Sequence, residues 1–138
     1  MADTKNAQET QLAGVQAQIV RHDNFESWYA NNVQMFPSDW DLKMVFGEID
    51  WIENKPVIRQ HTAMSISWLQ AKILQYFLNF HVAAYEMVHG PIPVPSDVIP
   101  PPPNAPTGDL ANNPTAQRIY EHVKKLREEF IASLGKVP

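Results

Sequence analysis

The sequence predicts an α+β fold: an antiparallel sheet of three or four strands packed on one long helix, followed by a Pro-rich extended arm and a C-terminal helix. Three observations predict it. Short segments of alternating character occupy residues 15 to 64, the period-two signature of strands buried on one side. One long helical stretch then runs from about Ser67 to His89 and stops at Gly90-Pro91. A proline-rich segment finally separates it from a second helical stretch opening at Asn113-Pro114 and closing at Gly135.

Taken in order, residues 1 to 13 mix Gln, Asn, Thr and Lys with little that could anchor a core, so a disordered tail is expected. In residues 15 to 21, Val15, Ala17 and Ile19 alternate with Gln16, Gln18 and Val20, which reads as a first strand ended by His22, Asp23 and Asn24. Residues 29 to 36 place Tyr29, Val33 and Met35 on one side of an extended segment, and Pro37-Ser38-Asp39 supplies turn chemistry. Leu42, Met44 and Phe46 alternate with Lys43, Val45 and Gly47, giving a third strand to about Ile49. Asn54-Lys55-Pro56 is the next predicted turn, and residues 57 to 64 form a fourth β-prone run. Short turns between consecutive strands imply antiparallel pairing in a meander.

Ser67 followed by Gln70 resembles a capping box at the start of the long helix. At about 100° per residue, Leu69, Ile73, Tyr76, Phe77, Phe80, Ala84, Met87 and Val88 form one apolar face. A second apolar strip lies opposite, with Ala71, Leu74, Leu78, Val82 and Tyr85, leaving only Lys72, Gln75, Asn79 and Glu86 as a polar stripe. A helix apolar on both sides has to be covered on both sides, and its own sheet can bury only one. The cover for the second strip is either the chain's own C-terminal helix or the same helix of another subunit. The C-terminal helix carries a near-heptad stripe of Ile119, Val123, Leu126, Phe130 and Leu134. The expected interface residues are therefore Leu74, Leu78, Val82, Tyr85, Ile119, Val123, Leu126 and Phe130.

The domain organisation follows: a tail over 1–13, an α+β core over 14–92, a Pro-rich linker or arm over 93–112, and the C-terminal helix over 113–138. The arm, with Pro100 to Pro103 at its centre, should be extended polyproline that acts as a spacer or wrapping arm.

At 138 residues the chain suits one core, and no apolar stretch approaches the roughly 20 residues of a membrane helix. Without cysteine it has no disulfide framework, thiolate nucleophile or thiolate metal site. Together with a polar N-terminus, that points to a soluble cytoplasmic protein. A net charge of −4 sets a repulsive background against nucleic acid. Lys124, Lys125 and Arg127 are interleaved with Glu121, Glu128 and Glu129, the pattern of an ordinary solvated helix face.

Certain residues carry a resemblance. Tyr29-Ala30-Asn31 with Val33 and Gln34, then Phe46-Gly47-Glu48, Met64-Ser65, Ala71-Lys72, and Tyr85-Glu86 leading to Gly90-Pro91-Ile92 resemble the bacterial domain-of-unknown-function 3467 family over about residues 28 to 92. The resemblance implies a small strand-rich layer packed on one long helix, and it implies no activity. Ser65-Ile66-Ser67-Trp68 departs from the proline that often opens the helix in that family, and His89 stands where an aromatic residue is common. The arm and last helix lie beyond the match. A sheet with one long helix in an oligomer is also similar in architecture to the export chaperone family typified by SecB.

Candidate chemistry is sparse. Glu86 and His89 have the Glu-x-x-His spacing of carboxylate-bridged metal sites, but there is no second set, and a histidine in a last helical turn simply favours the helix dipole. His81 points about 140° away from Glu86. His61, near Arg59, and His22 lack a partner at catalytic spacing, and no nucleophile elbow or phosphate loop occurs. Trp28, Trp40, Trp51 and Trp68 flank strands and helix start as rim residues. Asn31 and Asn32, if buried, need partners, for instance across a subunit interface. No catalytic residue, metal ligand or cofactor is assigned. The sequence is read as a non-enzymatic homo-oligomeric interaction or scaffold protein, a dimer or more. The alternatives are a small-ligand or metal-binding enzyme with a pocket between sheet and arm near Trp68, His61 and Arg59, and a subunit of a larger hetero-complex held through the C-terminal helix.

Overall fold

Residues 8–12 and 15–138 are described by a computed structural model, and they form an α+β fold whose chain divides into two compact units, Met1–Trp68 and Leu69–Pro138. In the first unit β1 (Gln8–Leu12) pairs antiparallel with β2 (Val15–Ile19) in a two-stranded sheet of its own. The tail expected over 1–13 thus contains a strand at Gln8–Leu12; the rest of that range lies outside the described residues. The main sheet is a three-stranded antiparallel meander of β3 (Asn32–Pro37), β4 (Asp41–Ile52) and β5 (Lys55–Ser67), in that order.

The turn after Pro37 is built by one hydroxyl. Ser38 Oγ accepts the backbone N–H groups of Trp40 and Asp41 at 3.2 and 3.0 Å and donates to Asp41 Oδ1 at 2.6 Å, so four residues suffice to reverse the chain. The next reversal is tighter than the sequence suggested. β4 continues past Ile49 to Ile52, which pairs directly with Lys55. The two residues between them, Glu53 and Asn54, both have positive φ (50° and 61°), as the hairpin turn matching strand twist requires. Lys55 and Pro56, expected in the turn, are in β5.

Register assigns the faces. Val33, Met35, Leu42, Met44, Phe46, Met64 and Ile66 share one side, while the other mixes Asn32, Gln34, Lys43, Gln60 and Ser65 with Phe36, Val45 and Ala63. Gln60 Nε2 donates to Gln34 Oε1 at 3.0 Å across this second side. The pairing slips once: Phe46 faces Thr62 but Gly47 faces Gln60, so His61 is an extra residue in β5, a β-bulge. Gly47 permits the close strand approach there, since a Cβ on it would lie 2.6 Å from the Arg59 carbonyl oxygen. At the end of β5 the Trp68 indole N–H donates to the Ser38 carbonyl at 3.1 Å, tying the sheet's exit to the first hairpin turn.

The long helix α1 (Trp68–His89) ends at Gly90, whose φ of +86° suits glycine and whose N–H still reaches the Glu86 carbonyl at 2.8 Å. The connection that follows holds only two single 3-10 turns, Ser96–Val98 and Gly108–Leu110. Glu86 Oε1 accepts the Ile92 N–H at 3.0 Å, and the Pro100 carbonyl accepts from Arg127 Nε at 2.8 Å. The connection is therefore tied at its start and near its middle within its own unit. The last helix α2 (Pro114–Ser133) starts as the sequence indicates: Asn113 Oδ1 accepts the N–H groups of Thr115 and Ala116 at 2.9 and 3.1 Å, with proline in the first turn.

Candidate functional site

Among the described residues Met44 is the one buried hydrophobic side chain, at 6% exposure, on the apolar side of the central strand. Neither α1 nor α2 contains a buried residue. On α1 the strip singled out from the sequence is open: Leu74 is half-buried, and Leu78, Val82 and Tyr85 are exposed. The opposite face is open as well, including Leu69, Ile73, Tyr76, Phe77 and Phe80. On α2, Ile119, Val123, Leu126 and Phe130 are all exposed.

Two grooves organise these side chains inside the second unit. Leu78 and Val82 of α1 line an open groove of about 650 Å³ whose other wall is Ile92, Val94, Phe130 and Leu134. Val123, Leu126 and Phe130 line another, of about 280 Å³, against Pro100, Pro101 and Pro103. Phe130 belongs to both, so the structure joins half of the predicted strip on α1 to the lower half of the stripe on α2. Tyr85 goes elsewhere, its ring 4.5 Å from that of His89, and Ile119 lines neither groove. Glu86 leaves the polar stripe assigned to it. It is half-buried and fixes the start of the connection through Ile92. Its neighbour His89 is thus one turn from a structural carboxylate, and no group of three metal-ligating side chains occurs among the described residues.

In the first unit the bulge re-aims His61. The carbonyl of Tyr29 can only accept, so His61 Nε2 carries the proton that bridges them at 2.9 Å. Its Nδ1 lies 2.9 Å from Thr62 Oγ1, and the Trp28 ring stacks on the imidazole at 5.3 Å between centroids. Trp28 in turn donates its indole N–H to Glu26 Oε2 at 2.9 Å. Around them is an open pocket of about 190 Å³, reaching Phe46 and Met64 on the apolar side of the sheet. Two residues grouped with His61 from the sequence are absent from it. Arg59 pairs with Asp50 at 3.2 Å, and Trp68 serves the hairpin turn. The pocket's one carboxylate, Glu26, is already bonded to Trp28, and the His61–Tyr29 and His61–Trp28 contacts hold the segment before β3 against the sheet.

The two asparagines separate in role. Asn31 is exposed and its Oδ1 accepts the Ile49 N–H at 2.8 Å, capping β4 where β3 gives out. Asn32 Oδ1 is buried and has no hydrogen-bond partner among the described residues. Trp40 and Trp51 are exposed, at 87% and 68%.

The family model described as protein of unknown function (DUF3467) matches residues 1–93. The chain belongs to the DUF3467 family. No curated protein and no solved structure matches it. The family match ends three residues after Gly90, so the grooves against the proline segment and α2 are built largely from residues beyond it. No helix among the described residues is long and apolar enough to cross a membrane.

Proposed function

We propose that this DUF3467 chain is a non-enzymatic interaction module that works as an obligate homo-oligomer, a dimer or more. The observation carrying this is the single buried hydrophobic residue, Met44. Ordering a residue's backbone costs about 1–2 kcal/mol, and burial of apolar surface is the main term that offsets it. A chain whose described residues bury one hydrophobic side chain has to gain the rest on association. Leu74, Leu78, Val82 and Tyr85 of α1, with Ile119, Val123, Leu126 and Phe130 of α2, are the side chains assigned to that contact.

Light scattering on the purified protein across a dilution series tests it. Micromolar samples should have at least twice the chain mass, and dilution to the monomer should coincide with loss of the helical circular dichroism signal. A monomer that melts cooperatively, with α1 amides protected from exchange, would overturn the proposal. A subunit of a hetero-complex is the second assignment, favoured by the groove of about 650 Å³, which is wide and mostly apolar. Removing residues 108–138 takes away one wall of that groove, so loss of partner capture with an intact sheet would select it.

A further inference from the structure

Beyond Gly47 the sheet changes character. β3 stops pairing at Asn32–Gly47, and β4 and β5 continue alone as a two-stranded ribbon through Glu48–Ile52 and Lys55–Arg59 to the Glu53-Asn54 turn. The apolar series changes sides at the same place. In β4 the apolar positions step from Leu42, Met44 and Phe46 to Ile49 and Trp51, a shift of one. In β5 the extra residue His61 moves Ile58 and Pro56 to the side opposite Met64 and Ile66. Ile49 therefore faces Ile58 and Trp51 faces Pro56 on the side that is of mixed character in the body of the sheet, opposite Met44 and Met64. The other side of the ribbon mixes Glu48, Asp50, Lys55 and Arg59 with Ile52 and Val57, and there Arg59 pairs with Asp50 at 3.2 Å.

Two-stranded ribbons are marginal by themselves in water, and this one leaves its apolar side bare: Ile49, Trp51 and Ile58 are 40%, 68% and 40% exposed. The base of that same side holds Asn32 Oδ1, across from Gly47, buried and unpartnered. An acceptor left so keeps the desolvation cost of burial with no hydrogen bond to offset it. An apolar patch and an orphan acceptor on one face both call for a surface that brings side chains and a donor.

We infer that the apolar side of the β4–β5 ribbon docks on a second copy of this chain, through Ile49, Trp51, Pro56 and Ile58, with a donor of that copy reaching Asn32 Oδ1. This rests on the homo-oligomer proposed above and assigns it a contact that the helices do not supply. The area argues for a second copy. The chain exposes 12311 Å² at a mass of 15.7 kDa. Two separate compact bodies of half that mass would together expose about 8,800 Å², so the comparison holds wherever the two units lie. The nine positions outside the description add at most about 1,500 Å² if fully extended. About 2,000 Å² per chain is left over, or about 4,000 Å² for a pair, inside the range of obligate homodimers. An occasional partner would bury less and leave the excess in place most of the time.

The chain has no cysteine, so an Ile58→Cys variant carries a single reporter thiol. Its labelling by a maleimide should slow at least tenfold as the protein is raised from nanomolar to micromolar, in step with the mass found by light scattering. A Trp51→Ser/Ile58→Ser variant should associate at least thirtyfold more weakly, as expected for loss of a tryptophan anchor. Labelling that stays fast and independent of concentration while the wild-type chain is assembled overturns the ribbon contact and leaves the helix contact standing. A wild-type chain that is monomeric throughout overturns both. Should the double variant fail to fold, the Ile58→Cys labelling profile decides by itself.

Discussion

Substituting Gly47 tests the bulge on which both the His61 cluster and the ribbon depend. Gly47 is in ordinary extended backbone, so its need for glycine is purely one of space. An alanine Cβ there would sit 2.6 Å from the Arg59 carbonyl oxygen and 3.1 Å from the Arg59 carbonyl carbon and the Gln60 Cα, all main-chain atoms that no rotamer change can move aside. Reaching an ordinary contact means parting β4 from β5 by about 0.8 Å, which stretches a ladder hydrogen bond of about 2.9 Å past the bonding range. Loss of two such bonds costs about 2 kcal/mol, in line with overpacking penalties of about 1–3 kcal/mol. For a unit of this size that lowers Tm by about 8–16 °C. Gly47→Ala should therefore melt well below wild type by circular dichroism, and Gly47→Ser by about as much, at equal protein concentration because assembly raises Tm. A Gly47→Ala protein melting within about 2 °C of wild type would show that the strands separate at almost no cost, and the steric account would be wrong.

Other substitutions probe single contacts. Asn113→Ala removes the acceptor for two amides at the start of α2 and should destabilise that helix by about 1 kcal/mol, seen as faster amide exchange at Thr115 and Ala116, whereas Asn113→Asp should keep the cap. Glu86→Ala frees the Ile92 amide and should speed its exchange at least fivefold, while Glu86→Gln, which retains a carbonyl acceptor, should lose less. Asn31→Ala uncaps the Ile49 amide at the root of the ribbon and should fray Glu48–Ile52 by about 1 kcal/mol in exchange experiments, with Asn31→Asp close to wild type.

Much of the architecture is legible in the residues because local chemistry determines it. Asn113-Pro114 and Gly90 set helix limits through capping and positive φ, properties carried by the residue itself. The sequence points to a turn at Asn54-Lys55-Pro56, one residue late at its start, because Lys55 and Pro56 look like punctuation, whereas the reversal uses Glu53, a residue that rarely takes positive φ. The slip of apolar phase between Phe46 and Ile49 is visible in the sequence, but a bulge follows from it only once the opposite strand is in register. Contacts between distant positions left no local trace. Glu86 with Ile92, Arg127 with Pro100 and His61 with Tyr29 are set by how segments meet, and a helical wheel sees Glu86 only as one more polar residue. The helix strip on α1 was read as two-sided from spacing alone, and the structure adds that Leu78 and Val82 look onto Phe130 while Tyr85 stacks with His89.

The one-residue insertion at His61 also constrains whatever is built from this chain. With its oily surface above the plane near Met44 and below it near Trp51, no single lid can close the sheet.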